Sequence, residues 1–266
     1  MNFGLAGSGR VNGSFVSRLP GLARSLGPVA AQSYRLASRI VNSIGAGRAV
    51  RTYGELNSAT LILICAPVPA VEQIVSELSG ALDCPGKIIL LCEDGAGSRR
   101  LARLRERGAS VGSLQSVPGF DGRRFVAEGD RTAILEAKRL VRRLGGRLEQ
   151  IDTAKIAVYA AALSFGSSLY TPLLEASLQC LEDAGMAKAN AMKVVEGLFQ
   201  SSLRGYLYAG KRSWSGPLAA GDRAAVEQEM EALGASKPVL KRLYRETAAL
   251  AVQLLAAPGE SSGIDP

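Results

Sequence analysis

Two short runs, Thr60–Ala66 (TLILICA) and Lys87–Cys92 (KIILLC), are apolar almost without interruption. A strand with one face in water alternates apolar and polar residues, whereas a strand covered on both faces does not. Runs of six or seven residues suit strands better than buried helices. Between them, Val71–Leu82 has helical spacing. Two doubly covered strands joined by a helix need a layer above and a layer below. The pattern therefore predicts a parallel, doubly wound α/β sheet.

The same rhythm runs in both directions. Phe3–Ala6 reads as a strand and Arg10–Ser25 as a helix. Pro28–Ser33 is the second strand, followed by helix from Leu36 to about Ser43 and a short strand at Val50–Thr52. Beyond Cys92 come a helix at Ser98–Arg107, a strand at Ser110–Leu114 and a short strand at Phe125–Ala127. The helix Arg131–Leu144 places Ala133, Ile134, Ala137, Leu140, Val141 and Leu144 on one face and stops at Gly145-Gly146. Leu148–Ile151 is the last strand. After Asp152 only helical patterns remain: Thr153–Gly185, Ala187–Tyr208, Gly221–Leu233 and Lys237–Ala256, with Asp222 placed to cap the third. The reading is an α/β domain over 1–152, an all-helical domain over 153–256, and a disordered tail over 257–266.

The first strand runs into Gly7-Ser8-Gly9-Arg10-Val11. A Gly-x-Gly turn between a strand and a helix lets backbone N–H groups approach a pyrophosphate, and the helix directs its positive end at that anion. Gly7, Ser8, Gly9, Arg10 and Val11 are thus candidate dinucleotide contacts; the alternative is a tight turn that binds nothing. The second strand ends at Gln32-Ser33-Tyr34-Arg35, with no carboxylate before Glu55. A carboxylate there would serve a ribose 2′-hydroxyl. Ser33 and Arg35, helped by Arg39, suit a 2′-phosphate and hence NADP. The alternative is that both arginines are solvated helix charges. Ala66-Pro67, at the end of another strand, either touches the nicotinamide ribose or forms a plain proline loop.

The chain has no histidine. That excludes a Ser-His-Asp triad, a Cys-His dyad and histidine-ligated metal sites. Cys65, Cys84, Cys92 and Cys180 form no CxxC pair, so no metal site is expected; the chain reads as reduced and cytoplasmic. A net charge of +8 suits an anionic ligand. The densest basic run, Ser98–Arg107, reads as a solvated helix rather than a nucleic-acid surface. Ile156–Leu174 carries no charge but contains too many polar and turn residues for a membrane span.

Several segments resemble one family: GSGRVN at Gly7–Asn12, GASVGSLQSVPGF at Gly108–Phe120, YAAALSFGSS at Tyr159–Ser168 and WSGPLAAGD at Trp214–Asp222. They are similar to the uncharacterised bacterial Rossmann-like family with a conserved C-terminal domain of unknown function. That family lies within the 6-phosphogluconate dehydrogenase-like superfamily and is akin to pyrroline-5-carboxylate reductase and deazaflavin-dependent NADP oxidoreductases. The resemblance implies a Rossmann domain followed by an all-helical 6-phosphogluconate dehydrogenase C-terminal-like domain. It also implies an NADP-dependent oxidoreductase acting on a small imine or carbonyl compound, and a homodimer formed through the helical half. Ser168, where the family has Asn, and Tyr159 are the implied catalytic pair; Gln115, Ser164 and Asp222 are the implied substrate contacts. Hydroxyls in an apolar helix can instead bond to the carbonyl four residues back. The family's usual histidines are absent, with Gln115, Ala160 and Cys92 near their places. The rival reading is a dinucleotide-binding protein without redox turnover.

Overall fold

The computed structural model describes residues 3–8, 21, 25–93, 95–120, 123–234 and 237–256. Of the expected helix at Arg10–Ser25 only Gly21 and Ser25 are described, and the tail 257–266 lies outside the described residues. The chain divides into two compact units, Met1–Ser164 and Phe165–Pro266.

The first unit is built on an eight-stranded sheet. Its strands are β1 (Phe3–Gly7), β2 (Leu26–Ala31), β3 (Arg48–Ala49), β4 (Leu61–Cys65), β5 (Ile88–Leu91), β6 (Ser110–Ser116), β7 (Arg124–Gly129) and β8 (Arg147–Gln150). Their spatial order is β3-β2-β1-β4-β5-β6-β7-β8. The order reverses beside β1, because the chain winds outward first one way and then the other. That is the doubly wound dinucleotide-fold order, and ligands in such sheets bind beyond the strand ends at the reversal.

Burial explains the apolar runs. Leu61, Leu63 and Cys65 join one core, with Ala37, Ile40 and Ile44 of α1 (Tyr34–Ile44) and Ala133, Ile134 and Ala137 of α4 (Arg131–Arg143). Ile62, Ile64 and Ala66 join the other, with Val71, Ile74 and Leu78 of α2 (Val68–Ala81) and Leu104 of the short α3 (Ala102–Glu106). Successive strand residues point to opposite faces, so an uninterrupted apolar run is what two cores demand. Cys65 and Cys92 are buried among these core residues.

Three details differ from the sequence expectation. The sheet is parallel only through β6; β6 and β7 pair antiparallel, and β8 runs parallel to β7. The β6–β7 link is a turn closed by Val117 N–H to Arg124 O at 2.9 Å and Arg123 N–H to Phe120 O at 2.8 Å. So short a link forces reversal, since a parallel crossover needs a dozen residues or more. The third strand falls at Arg48–Ala49 rather than Val50–Thr52, because Glu55 captures the N–H groups of Arg51 and Thr52 at 2.8 and 3.2 Å and turns the chain. Those two N–H donors, ahead of Arg48, hold the Glu55 carboxyl below the usual carboxylate range. The segment Ser98–Leu101 is a 3-10 turn that leads into α3.

The long helical pattern after Asp152 is also broken. It forms α5 (Ile156–Phe165) and α6 (Thr171–Asp183), joined by a turn at 166–170. Gly166, Ser167 and Ser168 are poor helix formers, and Pro172 favours the start of a new helix. The second unit continues with α7 (Lys188–Ala209), α8 (Pro217–Ala220), α9 (Arg223–Gly234) and α10 (Pro238–Leu255). No helix among the described residues is long and apolar enough to cross a membrane.

Gly129, which ends β7, has φ +131°, and a Cβ there would lie 2.5 Å from the Gly112 Cα opposite. Both the torsion and the contact with backbone exclude a side chain. Gly129→Ala is expected to lower stability by roughly 2–4 kcal/mol in urea unfolding.

Candidate functional site

The parallel strands deliver their carboxyl ends to one edge. At that edge Gly7 sits in register between Ala31 of β2 and Cys65 of β4. A Cβ on Gly7 would come within 2.7 Å of Ile40 Cδ1. The glycine leaves room for the end of the Ile40 side chain of α1 beside the end of β1. Ser8 comes next and is buried. Gly9, Arg10 and Val11 lie outside the described residues.

Ser33 begins α1, where its hydroxyl accepts the Leu36 N–H at 3.3 Å as a helix cap. Arg35 and Arg39 are exposed on α1, and neither has an ion-pair partner among the described residues. The Arg51 guanidinium stacks over the Tyr34 ring, 5.0 Å from its centroid. Glu55, the first carboxylate after β2, is engaged in its own turn and pairs with Arg48 at 3.7 Å. The end of β2 is thus a cationic corner with a flat aromatic platform. Across the edge, Ala66 is buried and Pro67 opens α2, which has no acidic residue in its first turn.

Gln115 is engaged at both ends of its amide. It accepts the Gly95 N–H at 3.3 Å and donates to Ala96 O at 2.9 Å. It holds the loop after β5. Glu128 does the same nearby and is fully buried. Its oxygens accept Ser98 N–H at 2.6 Å, the Ser98 hydroxyl at 2.8 Å and the Ser113 hydroxyl at 2.7 Å. The sequence reading missed Glu128. The one signal is a lone acidic residue in the apolar strand RFVAEG; its partners lie 15 and 30 positions away, beyond any local pattern.

Tyr159 and Ser164 lie on α5, in the first unit. The Ser164 hydroxyl donates to Ala160 O at 3.2 Å, four residues back. Ser168 belongs to the second unit and sits in the turn after α5 rather than on that helix, so it does not continue the helical face of Ser164. The helix stops before it for the reasons given above. Asp222 caps α9 by accepting the Ala225 N–H at 3.1 Å. In the basic run, Arg100 pairs with Glu72 at 3.7 Å, Arg103 donates to Ser76 at 3.1 Å and Arg105 pairs with Asp130 at 3.1 Å. Those arginines are tied to neighbouring elements rather than aligned as a free cationic stripe.

Residues 124–251, from β7 into α10, match the family model described as Domain of unknown function (DUF2520). No curated protein matches the sequence. Solved structures share the fold over nearly the whole chain. Protein TM1727 from Thermotoga maritima matches at TM-score 0.69 with 17% identity, covering 94% of this chain and 97% of that one. An imine reductase from Myxococcus stipitatus in complex with NADP+ matches at TM-score 0.64 with 14% identity, over 94% and 92%. A pyrroline-5-carboxylate reductase from Coxiella burnetii matches at 0.59 with 15% identity, over 95% and 96%. These likenesses establish the architecture: a Rossmann-type sheet domain followed by a helical C-terminal domain.

Replacing Glu128 by Ala leaves three donors without their acceptor and is expected to cost on the order of 3 kcal/mol. Asp222→Ala removes only a cap and should cost ~1 kcal/mol. Thermal unfolding of the two variants beside the parent protein checks the ranking.

Proposed function

We propose that the chain is an NADP-dependent oxidoreductase acting on a small imine or carbonyl compound. The observation that carries this reading is the cationic corner at the end of β2. Arg35 and Arg39 have no ion-pair partner among the described residues, and the nearest carboxylate in sequence, Glu55, is held in its own turn. That donor set suits a 2′-phosphate, which a guanidinium grips with parallel hydrogen bonds. The glycine turn from Gly7 through Val11 would hold the pyrophosphate, Ser33 and Arg35 the 2′-phosphate, and Ala66-Pro67 the nicotinamide ribose. When bound, the dinucleotide supplies the hydride. Of the chain's own groups, we assign Ser168 a substrate hydrogen bond and Tyr159 the donated proton. The protein would work in the cytoplasm, without nucleic acid or membrane as partner.

A second reading, dinucleotide binding without turnover, is favoured by two specific features. Gln115 is committed to the loop after β5, and the chain has no histidine to move protons. Retained NADPH binding with no turnover across a panel of imines, ketones and 2-oxo acids would establish it over the first.

Self-association belongs to the same proposal. Among the described residues of the second unit, the buried apolar side chains are Leu178, Ala191, Val195 and Val226. Four such residues make a thin core for a unit of that length. On α7, Leu198, Leu203, Leu207 and Tyr208 are exposed, the last at 95%. A homodimer packed around α7 would bury them. Sedimentation at micromolar concentration is expected to give a dimer; a stable monomer would count against it.

Arg35→Ala should weaken NADPH binding by about 1.5–3 kcal/mol and leave NADH binding almost unchanged. Calorimetric titration of both cofactors decides this, since equal losses would mean that Arg35 does not read the 2′-phosphate.

A further inference from the structure

The corner at the end of β2 holds a further arginine that the 2′-phosphate reading does not use. Arg51 comes to it from another strand. Strand β3 runs parallel to β2, with Arg48 opposite Pro28 and Ala49 opposite Val29, and the Val50 N–H donates to Val29 O at 2.9 Å. Arg51 follows Val50 and so emerges at the carboxyl edge of the sheet, beside the end of β2. Its backbone is fixed there, because Glu55 accepts the Arg51 N–H at 2.8 Å and the Thr52 N–H at 3.2 Å. Its guanidinium lies over the ring of Tyr34, 5.0 Å from the centroid. Tyr34 is in turn the first residue of α1, directly after the Ser33 cap.

The pair has a specific chemistry. A guanidinium is a flat cation with two faces, and one face of Arg51 rests on Tyr34. Both side chains are exposed, so the other face is open to a ligand. Among the described residues Arg51 has no ion-pair partner, although Arg48 beside it pairs with Glu55. A phosphate needs a charge and an N–H edge, and Arg35 and Arg39 already offer those on α1. They do not offer a supported plane. A flat cation backed by an aromatic ring is a stacking surface for a further planar ring. Fixing that surface before the ligand arrives lowers the ordering cost of binding.

We propose that Arg51, backed by Tyr34, is the surface on which the adenine ring of the dinucleotide stacks. The inference rests on the dinucleotide reading above but concerns a different part of the ligand. Arg35 distinguishes NADPH from NADH through the 2′-phosphate. Arg51 holds the base, which both cofactors carry, and so serves both alike. The two arginines are therefore separable by experiment.

The test is calorimetric titration of the full-length protein and its variants with NADPH and NADH. Arg51→Ala should raise both dissociation constants by the same factor, about 5- to 30-fold, the scale of stacking one base. Arg51→Lys keeps the charge but loses the plane, and should lose nearly as much. Tyr34→Ala removes the backing ring and should weaken both cofactors about 3- to 10-fold. Tyr34→Phe keeps the ring and should bind like the parent protein. All four replacements are at exposed positions, and an unchanged thermal midpoint confirms that each variant is folded. Unaltered binding of both cofactors by Arg51→Ala or by Tyr34→Ala overturns the inference and leaves the NADP reading in place. A loss confined to NADPH, or one that Arg51→Lys restores, also overturns it, because Arg51 would then act on phosphate by its charge. If the parent protein binds neither cofactor, this inference and the dinucleotide reading fall together.

Discussion

Every side chain from Leu61 to Ala66 is at most 1% exposed, and the residues alternate between two separate cores. Double coverage of the central strands is the constraint on which the rest of the first unit depends. It requires helices on both faces, and helices on both faces require crossover connections between parallel strands. Parallel strands end together, so Gly7, Ala31 and Cys65 arrive side by side. The carboxyl edge of the sheet is then the one place where loops of different origin meet. Polar chemistry there must come from the loops, the backbone and the outer strands, since the central strands β1, β4 and β5 contribute only buried apolar groups and glycine.

The loop after β5 illustrates how that edge is stiffened. Glu128 and Gln115 project from β7 and β6 and take up the backbone of Gly95–Ser98. Burying such groups is costly unless each is paired, and here each has its partners within hydrogen-bond distance. The antiparallel addition of β7 therefore does more than extend the sheet. It places an acceptor where three donors from two other segments converge. Gly112 and Gly129, opposite one another, let the two strands approach at the same point.

The helical unit has the opposite character. Its core is thin, its longest helix α7 shows apolar residues to solvent, and α6 and α10 leave a hollow between them. A unit that buries little of its apolar surface by itself relies on something else to cover the remainder.

The sequence by itself determined the strand-and-helix alternation, the change of texture after Asp152, the buried state of Cys65 and Cys92, and the cap at Asp222. All of these rest on local signals: periodicity, uninterrupted apolar runs, and turn or cap residues. It also supplied the absence of histidine and the lack of a carboxylate at the end of β2. Tertiary structure alone decided the reversal of β7 and β8, because the sequence marks strands at 110–114 and 125–127 but not their relative direction. It decided that Gln115 braces a loop and that Glu128 finds Ser98 and Ser113, since those partners lie far apart along the chain. It moved Ser168 off the helix that an apolar pattern had extended through Gly166. It also left an open apolar groove beside Trp214, because small residues of α6 and α10 face each other there, and neither helix records that meeting in its own sequence.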